Sequence, residues 1–487
     1  MSQALSEEEK QYVQRFDTPE IRDFNFAPDS ANSAMPFQTG PGALPEPAPV
    51  SNAGEPTAGA PVAASAVQPE NPESPAAGHT AETIPDVTPI GLTQPPVSAE
   101  LLDPTFIPKF VNQLVKPPVC HPVSCVDDEY VYAIDIIQFK QQILPEGFPE
   151  TTVWGYGGNV MDEETYLFRY DKSTPGATFE AVRNMPVRIR WTNKLDGPHL
   201  MTADPAYHQE NAHEGSVPAV THLHGARISQ ALNGNPDAWI TSDGRTGPAY
   251  GMPFCTYPNT QDAAALWYHD NTRGFSRANI YAGLAGFYLL RSGVEFGWQR
   301  DGILPRGRYE IPLMIQDRSF KKDGSLVFAR VGEKPFRKNT AFLGDSITVN
   351  GKVWPNLNVE RRQYRFRLLN GSGARVYNLR MSNGMAFTQI GADNGFLHEP
   401  RTAESLRLAP GESADILIDF SGIEPAAQII LTNDARSPFP GNDASDPETT
   451  GQIMQFTVPV GAPEPVKPER LPPLPCRVTR DRNGQWS

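Results

Sequence analysis

The sequence predicts an all-β protein, with two β-sandwiches in tandem after a disordered N-terminal extension. Apolar and polar residues alternate in "VRIRWTN" (187–193) and again in "YRFRLLN" (364–370). The runs "YVYAIDIIQF" (130–139) and "SADILIDF" (413–420) are also typical of strands. Alternation with a period of two indicates sheets with one buried face.

Turn signals and the scarcity of long amphipathic helical patterns favour antiparallel strands. Asn-Gly pairs, which suit tight turns between strands, begin at Asn233, Asn350, Asn370, Asn383 and Asn394. A break near "RDGILPRGRYEIPL" divides the ordered part into two segments of domain size. We predict a first sandwich over residues 105–299, a second over residues 300–462, and a Pro-rich tail over residues 463–487.

The predicted extension covers residues 1–104. From about residue 23 it is rich in Pro, Ala, Ser and Glu, as in "PGALPEPAPVSNAGEPTAGAP". A segment of this composition buries too little apolar surface to offset its backbone entropy, so we expect it to be disordered. A flexible spacer is the favoured role.

Charge and hydropathy exclude two classes of partner. The formal net charge of −14 argues against nucleic-acid binding, which needs a basic face. No apolar run approaches the length of a membrane span, so no spanning segment is expected. The N-terminus "MSQALSEEEKQYVQRF" is charged and lacks the apolar centre of a secretory signal.

The four cysteines are too few for a disulfide scaffold. Cys120 and Cys125 lie close in sequence, with His121 between them. Three interpretations stay open for this pair: two thiols, a disulfide that closes a small loop, and a metal site that includes His121.

Histidines are concentrated in one part of the chain. The stretch "VTHLHGAR" places His222 and His224 two residues apart, which puts both imidazoles on one face of a strand. About 45 residues later, "LWYHDN" presents His269 and Asn271 with the same spacing. Neutral imidazole is the commonest protein ligand for copper and zinc, so these stretches are candidate metal-binding strands.

These stretches and their surroundings resemble the multicopper oxidases, and within them the branch of spore-coat laccases and bilirubin oxidases. The resemblance is carried by "THLHG", "GNPDAWIT" and "YPNTQDAAALWYHDNTRGFSRANIYAGLAGFYLL", and it continues through "ITVNGKVWPNLNVERRQYRFRLLNGSGARVYNLRMSNG". It runs in order from about residue 106 to residue 458. The implied fold is a tandem of cupredoxin-like (plastocyanin-like) Greek-key β-sandwiches.

The resemblance also implies copper chemistry. In the family, a blue (type 1) copper takes electrons from an organic or metal donor, and a trinuclear cluster reduces dioxygen to water. By correspondence, His222 is a ligand of the type 2 copper, and His224 and His269 are ligands of the type 3 pair. Asn271 stands where the family has a fourth histidine, and an amide is a weak copper ligand.

A second departure concerns the third cupredoxin domain, which in the family carries the His-Cys-His segment of the blue copper. No such segment occurs in these 487 residues, and downstream of His269 only His398 and Cys476 remain as histidine and cysteine. We therefore expect remnants of the type 2 and type 3 sites, no type 1 copper, and no catalysis by this chain alone.

Three interpretations follow from these departures. In the first, the chain is part of an oxidase that uses dioxygen and a phenolic or pigment donor and is completed by a separate chain carrying the third domain. In the second, it is a non-catalytic or structural cupredoxin scaffold with decayed copper sites. In the third, the remaining histidines hold a single copper or zinc. Relatives that work on spore or cell surfaces lack an obvious signal, so both the cytoplasm and a surface coat are expected locations.

The neighbours of the histidines are assigned simpler roles. His199, His208 and His213 lie in a polar, loop-like segment and are predicted to be solvated surface residues. Asp270 should point away from the ligand face and bond nearby backbone or pair with Arg273. Trp239 and Trp267 are predicted to belong to the sandwich core.

Overall fold

A computed structural model describes residues 100–126, 129–161, 167–201, 216–328, 342–441 and 443–468. Residues 1–99 of the predicted extension and residues 469–487 of the predicted tail lie outside this part. Among the described residues, no helix is both long enough and apolar enough to cross a bilayer.

The first part of the chain forms an eleven-stranded sheet system. Its strands are β1 (Val119–Cys120), β2 (Ser124–Val126), β3 (Glu129–Gln141), β4 (Thr151–Met161), β5 (Phe168–Ser173), β6 (Gly176–Val182), β7 (Val187–Asn193), β8 (Thr221–His224), β9 (Phe254–Tyr257), β10 (Ala264–Asp270) and β11 (Ala285–Arg291). The main path runs β8-β10-β11-β6-β1-β4-β3-β7-β9, with β2 on β3 and β5 on β4. Strand β8 therefore lies at one margin.

The second part forms two further sheets, in the orders β14-β13-β12-β16-β21-β18-β19 and β15-β23-β22-β17-β20. Its strands are β12 (Glu310–Arg318), β13 (Ser346–Val349), β14 (Lys352–Val353), β15 (Asn356–Asn358), β16 (Gln363–Asn370), β17 (Tyr377–Met381), β18 (Phe387–Ala392), β19 (Gly395–Ala403), β20 (Leu406–Leu408), β21 (Ser413–Asp419), β22 (Gln428–Asn433) and β23 (Gln452–Thr457).

Within the part of the chain that the structure describes, helices are few and short: α1 (Ser276–Ala282), α2 (Gly293–Arg300) and three-residue 3₁₀ turns at Pro104–Phe106, Gln230–Leu232 and Gly307–Tyr309. The predicted all-β class is confirmed. None of the named strands before α2 pairs with a named strand after it. The sandwich boundaries at residues 105, 300 and 462 remain predictions.

Asn-Gly chemistry makes the hairpin turn between β13 and β14. Val349 pairs with Lys352, and the two residues between them, Asn350 and Gly351, have φ values of 49° and 73°. Positive φ at both central positions defines the turn that matches the twist of a tight hairpin, and asparagine and glycine tolerate it best. A second pair, Asn394-Gly395, stands where β18 turns into β19.

There are two large apolar cores, and the one centred on the second part also takes in Phe139 and Val153 of the first. Strands of the first part bury residues such as Trp154, Tyr156 and Phe179, and strands of the second bury Trp354 and Phe366. A smaller cluster joins the two parts, because residues of β10 and β11 pack with residues of β12 and β16: Ala265, Trp267, Ala285, Phe287, Leu289, Met314 and Leu369.

The prediction of one buried face is wrong for β16. Its apolar residues are buried, and so are Arg365 and Arg367 on the opposite face. Both arginines belong to a network of buried charges, termed here the ion network, that joins β11 and α2 to β12, β16 and β21. Its members are Glu180, Arg291, Glu295, Glu310, Arg365, Arg367 and Asp415.

Opposite charges alternate closely within the ion network. Arg365 donates to Asp415 Oδ1 at 2.9 Å and to Glu295 Oε1 at 2.7 Å. Arg291 donates to Glu310 Oε1 at 2.6 Å. Burial alone would raise the pKa of Glu295 and of Glu310, but the surrounding arginines outweigh it, and both pKa values are lowered. The carboxylates are therefore held ionised.

Cys120 is buried and Cys125 is exposed, and the structure leaves both as thiols that are not joined to each other. The His121 ring packs on Phe168, with 4.2 Å between the ring centroids. The described residues with metal-site geometry are three histidines elsewhere, so the disulfide and metal interpretations of this pair are not supported.

Candidate metal centre

Two neighbouring strands position the candidate ligands. Strand β8 pairs antiparallel with β10, so that His222 lies directly opposite His269, and His224 lies opposite Trp267. Because side chains alternate along a strand, residues 222, 224, 267 and 269 share one face. The structure thus brings the three predicted histidines together at the margin of the first sheet system.

The three imidazoles form a nearly equilateral triangle. Ring centroids are 6.0 Å apart for His222 and His224, 5.4 Å for His222 and His269, and 5.6 Å for His224 and His269. Each ring offers a nitrogen that lies within 4.8 Å of those of the other two. This triangle is termed here the histidine cluster.

Backbone carbonyls orient two of the rings. The Nδ1 atom of His222 is 2.7 Å from the carbonyl oxygen of Asn233, and Nδ1 of His269 is 2.8 Å from that of Asp270. A carbonyl only accepts, so Nδ1 carries the proton in both rings and Nε2 keeps its lone pair. His224 presents its Nδ1 atom 3.4 Å from Nε2 of His269.

The cluster ranges from the exposed His224 to the buried His269, and desolvation favours the neutral form of each ring. Desolvation lowers the pKa of His222 and of His224, and the neighbouring His222 lowers the latter further. Burial lowers the pKa of His269 to about 3. A neutral imidazole has a nitrogen lone pair to give to a metal, so the rings are in the binding form at neutral pH.

Asn271 stands just beyond the end of β10, and its amide is engaged. Its Nδ2 atom donates to the carbonyl oxygen of Gly234 at 2.9 Å, and its backbone N–H donates to Val220. His222 and His269 use Nδ1 in the same way, each toward a backbone carbonyl. Asn271 therefore makes the orienting bond of a ligand histidine but has no ring nitrogen beyond it.

Asp270 points away from the histidine cluster, as predicted, and is fully buried. Its carboxylate accepts from Val220 N at 3.1 Å, Thr272 N at 3.0 Å and Thr272 Oγ1 at 2.9 Å. The suggested pairing with Arg273 is wrong, since that guanidinium bonds Asp237 at 2.5 and 2.6 Å. These bonds hold the backbone before β8, at Val220, against the residues that precede α1, at Thr272.

His199 is buried, so its prediction as a solvated residue is wrong. Its Nδ1 atom accepts from Met201 N at 2.9 Å, and its Nε2 atom donates to Asn279 Oδ1 at 2.8 Å. The ring also packs edge-on against Trp154, with 4.4 Å between centroids. His208 and His213 lie outside the described residues.

Trp267 is buried, but it belongs to the site as well as to the core. Its ring stacks on His224 with 5.3 Å between centroids and lies 4.1 Å from the ring of His269. Trp239 is only half-buried and is not part of a core cluster, so its assignment to the core is wrong.

Tyr268 fixes the register of β10. Its hydroxyl donates to the carbonyl oxygen of Ala177 at 2.7 Å, and its ring fills the space above Gly176 and Gly286. A Cβ atom on either glycine would overlap the Tyr268 side chain. Because neither glycine has a side chain, there is room for Tyr268, the residue that precedes His269.

A cavity of about 380 Å³ adjoins the histidine cluster. Its lining combines residues of both parts of the chain, including His224, Trp267, His269, Arg277, Tyr281, Arg318 and Gly411. Sequence patterns did not single out Arg277, Tyr281 or Arg318, because the fold of α1 and β12 against the histidine strands brings them to the cavity and no spacing pattern does. Arg318 lies over the Tyr281 ring at 4.6 Å.

The donor set fits copper. Three neutral imidazoles are ligands that copper and zinc both accept, and the Asp270 carboxylate is turned away by its own bonds. Two of the three rings are already oriented by backbone carbonyls, an arrangement that typically holds metal-binding histidines in place.

Comparisons with known proteins show the family to which the chain is related. The multicopper oxidase family model matches residues 326–451. The chain is 38% identical over 390 residues to a laccase of Bacillus stratosphericus, covering 77% of this chain and 72% of that protein. It is 39% identical over 359 residues to a laccase of Bacillus subtilis, covering 72% of this chain and 65% of that protein.

Other relatives are longer. The chain spans 52% of the multicopper oxidase LPR1 of Arabidopsis thaliana, at 38% identity over 316 residues. The fold matches the crystal structure of a laccase from Pediococcus acidilactici, with a TM-score of 0.56 and 24% identity over 77% of this chain and 68% of that one. It also matches the McoA multicopper oxidase of Aquifex aeolicus, with a TM-score of 0.57. The predicted cupredoxin fold is confirmed, and the chain belongs to the multicopper oxidase family, whose cofactor is copper.

Proposed function

We propose that this chain holds copper on His222, His224 and His269 as part of a laccase-type oxidase. Dioxygen is the electron acceptor, and a phenolic, pigment or metal compound is the donor. One observation carries the proposal: strand pairing gathers three imidazole nitrogens within 4.8 Å of one another, with two rings oriented by backbone carbonyls.

Copper, when bound, supplies one-electron chemistry toward dioxygen. The chain's own residues prepare the site. The Nδ1–H bonds of His222 and His269 keep each Nε2 atom available for metal, and burial keeps the rings unprotonated. Trp267 covers one side of His224 and limits its rotation.

The number of copper ligands in this chain distinguishes copper binding from oxidase catalysis. The histidine cluster supplies three imidazoles, Asn271 occupies the fourth position, and the sequence contains no His-Cys-His segment for a blue copper. Oxidase activity then needs ligands from outside these 487 residues, such as a separate chain carrying a third cupredoxin domain. The copper held by this chain corresponds to the type 2 and type 3 remnants, without type 1 copper.

A non-catalytic cupredoxin scaffold is the second candidate. The bond from Asn271 Nδ2 to Gly234 favours it, because this bond ties the end of β10 to the loop after β8 without any metal. The two candidates differ in a single property, which is whether the chain binds copper. Either one is compatible with the cytoplasm or a surface coat as location.

Copper content after loading and dialysis tests the proposal. The wild-type chain should retain copper, and the variant His222→Ala/His224→Ala/His269→Ala should retain almost none. His398→Ala, which removes an exposed histidine of β19, should behave as wild type. Absence of copper from the wild-type chain would favour the scaffold.

Colour and oxygen uptake with a phenolic donor complete the test. We expect neither from the chain alone, since no blue-copper ligands are present in its sequence. Blue colour or turnover by the purified chain would contradict this ligand count.

A further inference from the structure

A second cavity, lined by none of the cluster histidines, is basic although the protein as a whole is acidic. It measures about 940 Å³ and lies where α2, the loop before β12 and the segment after β23 meet. Seven cationic side chains line it, against two acidic ones. The cations are Lys116, Arg291, Arg300, Arg306, Arg308, Arg362 and Lys467. This cavity is termed here the basic basin.

The two acidic lining residues do not neutralise the rim of the basic basin. Glu180 and Glu310 both accept from Arg291, at 2.7 and 2.6 Å, and are part of the buried ion network beneath. Of the rim cations, Arg308 pairs with Glu360 at 2.8 Å and Arg300 with Asp301 at 3.0 Å. The remaining rim charges therefore add to a positive potential in a chain of net charge −14.

Three rim cations have no acidic partner among the described residues: Arg306, Arg362 and Lys467. The Nε atom of Arg362 is buried and makes no hydrogen bond. The Arg362 side chain lines the basic basin together with those of Arg306 and Lys467.

The guanidinium of Arg362 is also held in place. It lies 3.8 Å from the centroid of the Tyr309 ring, and Arg308 lies against the same ring at 5.0 Å. The Tyr309 hydroxyl accepts from Arg308 at 2.7 Å and donates to Glu360 at 3.0 Å. Stacking of this kind lowers the entropy lost when an anion binds, because the planar donor is already oriented.

We propose that the basic basin binds a small anion with two or more phosphate or carboxylate groups. Guanidinium groups match the paired oxygens of both chemistries, and the cavity holds more than one such group. The basin is a confined concavity open to solvent on an acidic protein rather than an extended basic stripe, which favours a small ligand over nucleic acid. This site is independent of the proposed copper function.

Calorimetric titration with pyrophosphate and with citrate tests the proposal in the full chain. The wild type should bind at least one of the two saturably in low salt and more weakly as salt increases. Saturation by both identifies the shared chemistry, and saturation by only one narrows the class to phosphates or carboxylates. Absence of saturable binding by either anion overturns the proposal.

Variants locate the binding. Arg362→Gln should weaken binding about tenfold or more, because a charge-assisted contact is lost. Arg362→Lys keeps the charge without the planar fork and should lose less. The triple variant Arg306→Gln/Arg362→Gln/Lys467→Gln should lose saturable binding, with an unchanged circular dichroism spectrum. The histidine cluster is intact in all of them, so chelation of any bound copper is common to the series.

Two outcomes would contradict the proposal, and a control variant is needed to recognise the first. Arg401→Gln removes an exposed arginine of β19 that does not line the basin, and binding should stay within about twofold. Equal weakening by Arg401→Gln and Arg362→Gln would show general surface attraction and overturn the site. Binding to vesicles that contain phosphatidylserine, without binding to either soluble anion, would also overturn it.

Discussion

The ion network and the histidine cluster are both groups of ionisable side chains, but only the ion network pairs each charge with an opposite charge. In the ion network, each buried charge has an opposite charge within hydrogen-bonding distance, and Arg365 has no exposed surface. In the histidine cluster, three neutral rings turn nitrogen atoms toward one another with no partner of opposite charge among them. Mutual neutralisation by opposite charges indicates a structural role, and convergence of neutral imidazole nitrogens indicates a ligand site.

The difference extends to what each cluster requires from outside the chain. The ion network joins α2 and β11 to β12, β16 and β21 using residues of this chain alone. The proposed copper site needs a metal, and the proposed oxidase chemistry needs further ligands. Substitutions in the two clusters should therefore affect different properties, stability in one and metal binding in the other.

The largest effect is expected from Arg365→Met. Removal of the guanidinium leaves Glu295 and Asp415 short of a partner in the interior, which typically costs about 3–5 kcal/mol of unfolding free energy. Urea unfolding measures the change. The exposed substitution Arg401→Met should cost less than about 0.5 kcal/mol. A cost for Arg365→Met as small as that of Arg401→Met would mean that the network does not hold the two parts together.

A smaller effect, with a distinct pH window, is expected from His269 in copper-free protein. Unfolded histidine takes up a proton near pH 6.5, but burial lowers the pKa of His269 in the folded chain to about 3. Stability from this residue is thus present above pH 6.5 and is lost as the pH falls. Between pH 7 and pH 5 the loss should be about 2 kcal/mol.

The variant His269→Gln isolates the contribution of His269 to the pH dependence of the unfolding free energy. Its unfolding free energy in urea should change less between pH 7 and pH 5 than that of the wild type, and the exposed substitution His398→Gln should keep the wild-type slope. The ion network has lowered carboxylate pKa values, so its contribution should weaken only below about pH 4.5. Equal slopes for the wild type and His269→Gln would show that His269 takes up a proton in the folded chain.

The smallest effect that we expect is an increase in copper affinity. Asn271→His keeps a nitrogen able to donate to Gly234 and adds a second ring nitrogen, so copper affinity should rise about tenfold or more. Competition with a chromophoric chelator measures it. Asn383→His, which adds a histidine at an exposed turn, should leave the affinity unchanged. Oxygen uptake should stay absent in both variants.

Sequence alternation predicted the β7 strand well, because Arg188 and Arg190 face solvent there while Val187 and Ile189 are buried. The same pattern failed at β16, where sheet packing covers both faces. Alternation shows only which residues along a strand are apolar and which are polar. The carboxylates that neutralise Arg365 and Arg367 come from α2, β12 and β21. Those contacts depend on tertiary packing, which a local pattern does not contain.

The histidine cluster shows a similar division. Spacing predicted that His222 and His224 share a face, but only the pairing of β8 with β10 places His269 opposite His222. His199 was missed because its segment is polar, although its ring is enclosed by Trp154 and Asn279. The engaged amide of Asn271 was also not predictable, since Gly234 lies 37 residues away.

Tyr268, Gly176 and Gly286 constrain one another in the evolution of the sequence. The tyrosine occupies space that alanine at residue 176 or residue 286 would fill, so these three positions cannot change independently. Among related sequences we expect glycine at both positions wherever tyrosine precedes the histidine, and larger residues only where the tyrosine has become smaller. A lineage that abandons the metal keeps this constraint, because the tyrosine serves the sheet. The three positions should therefore be conserved for longer than the histidines of the cluster.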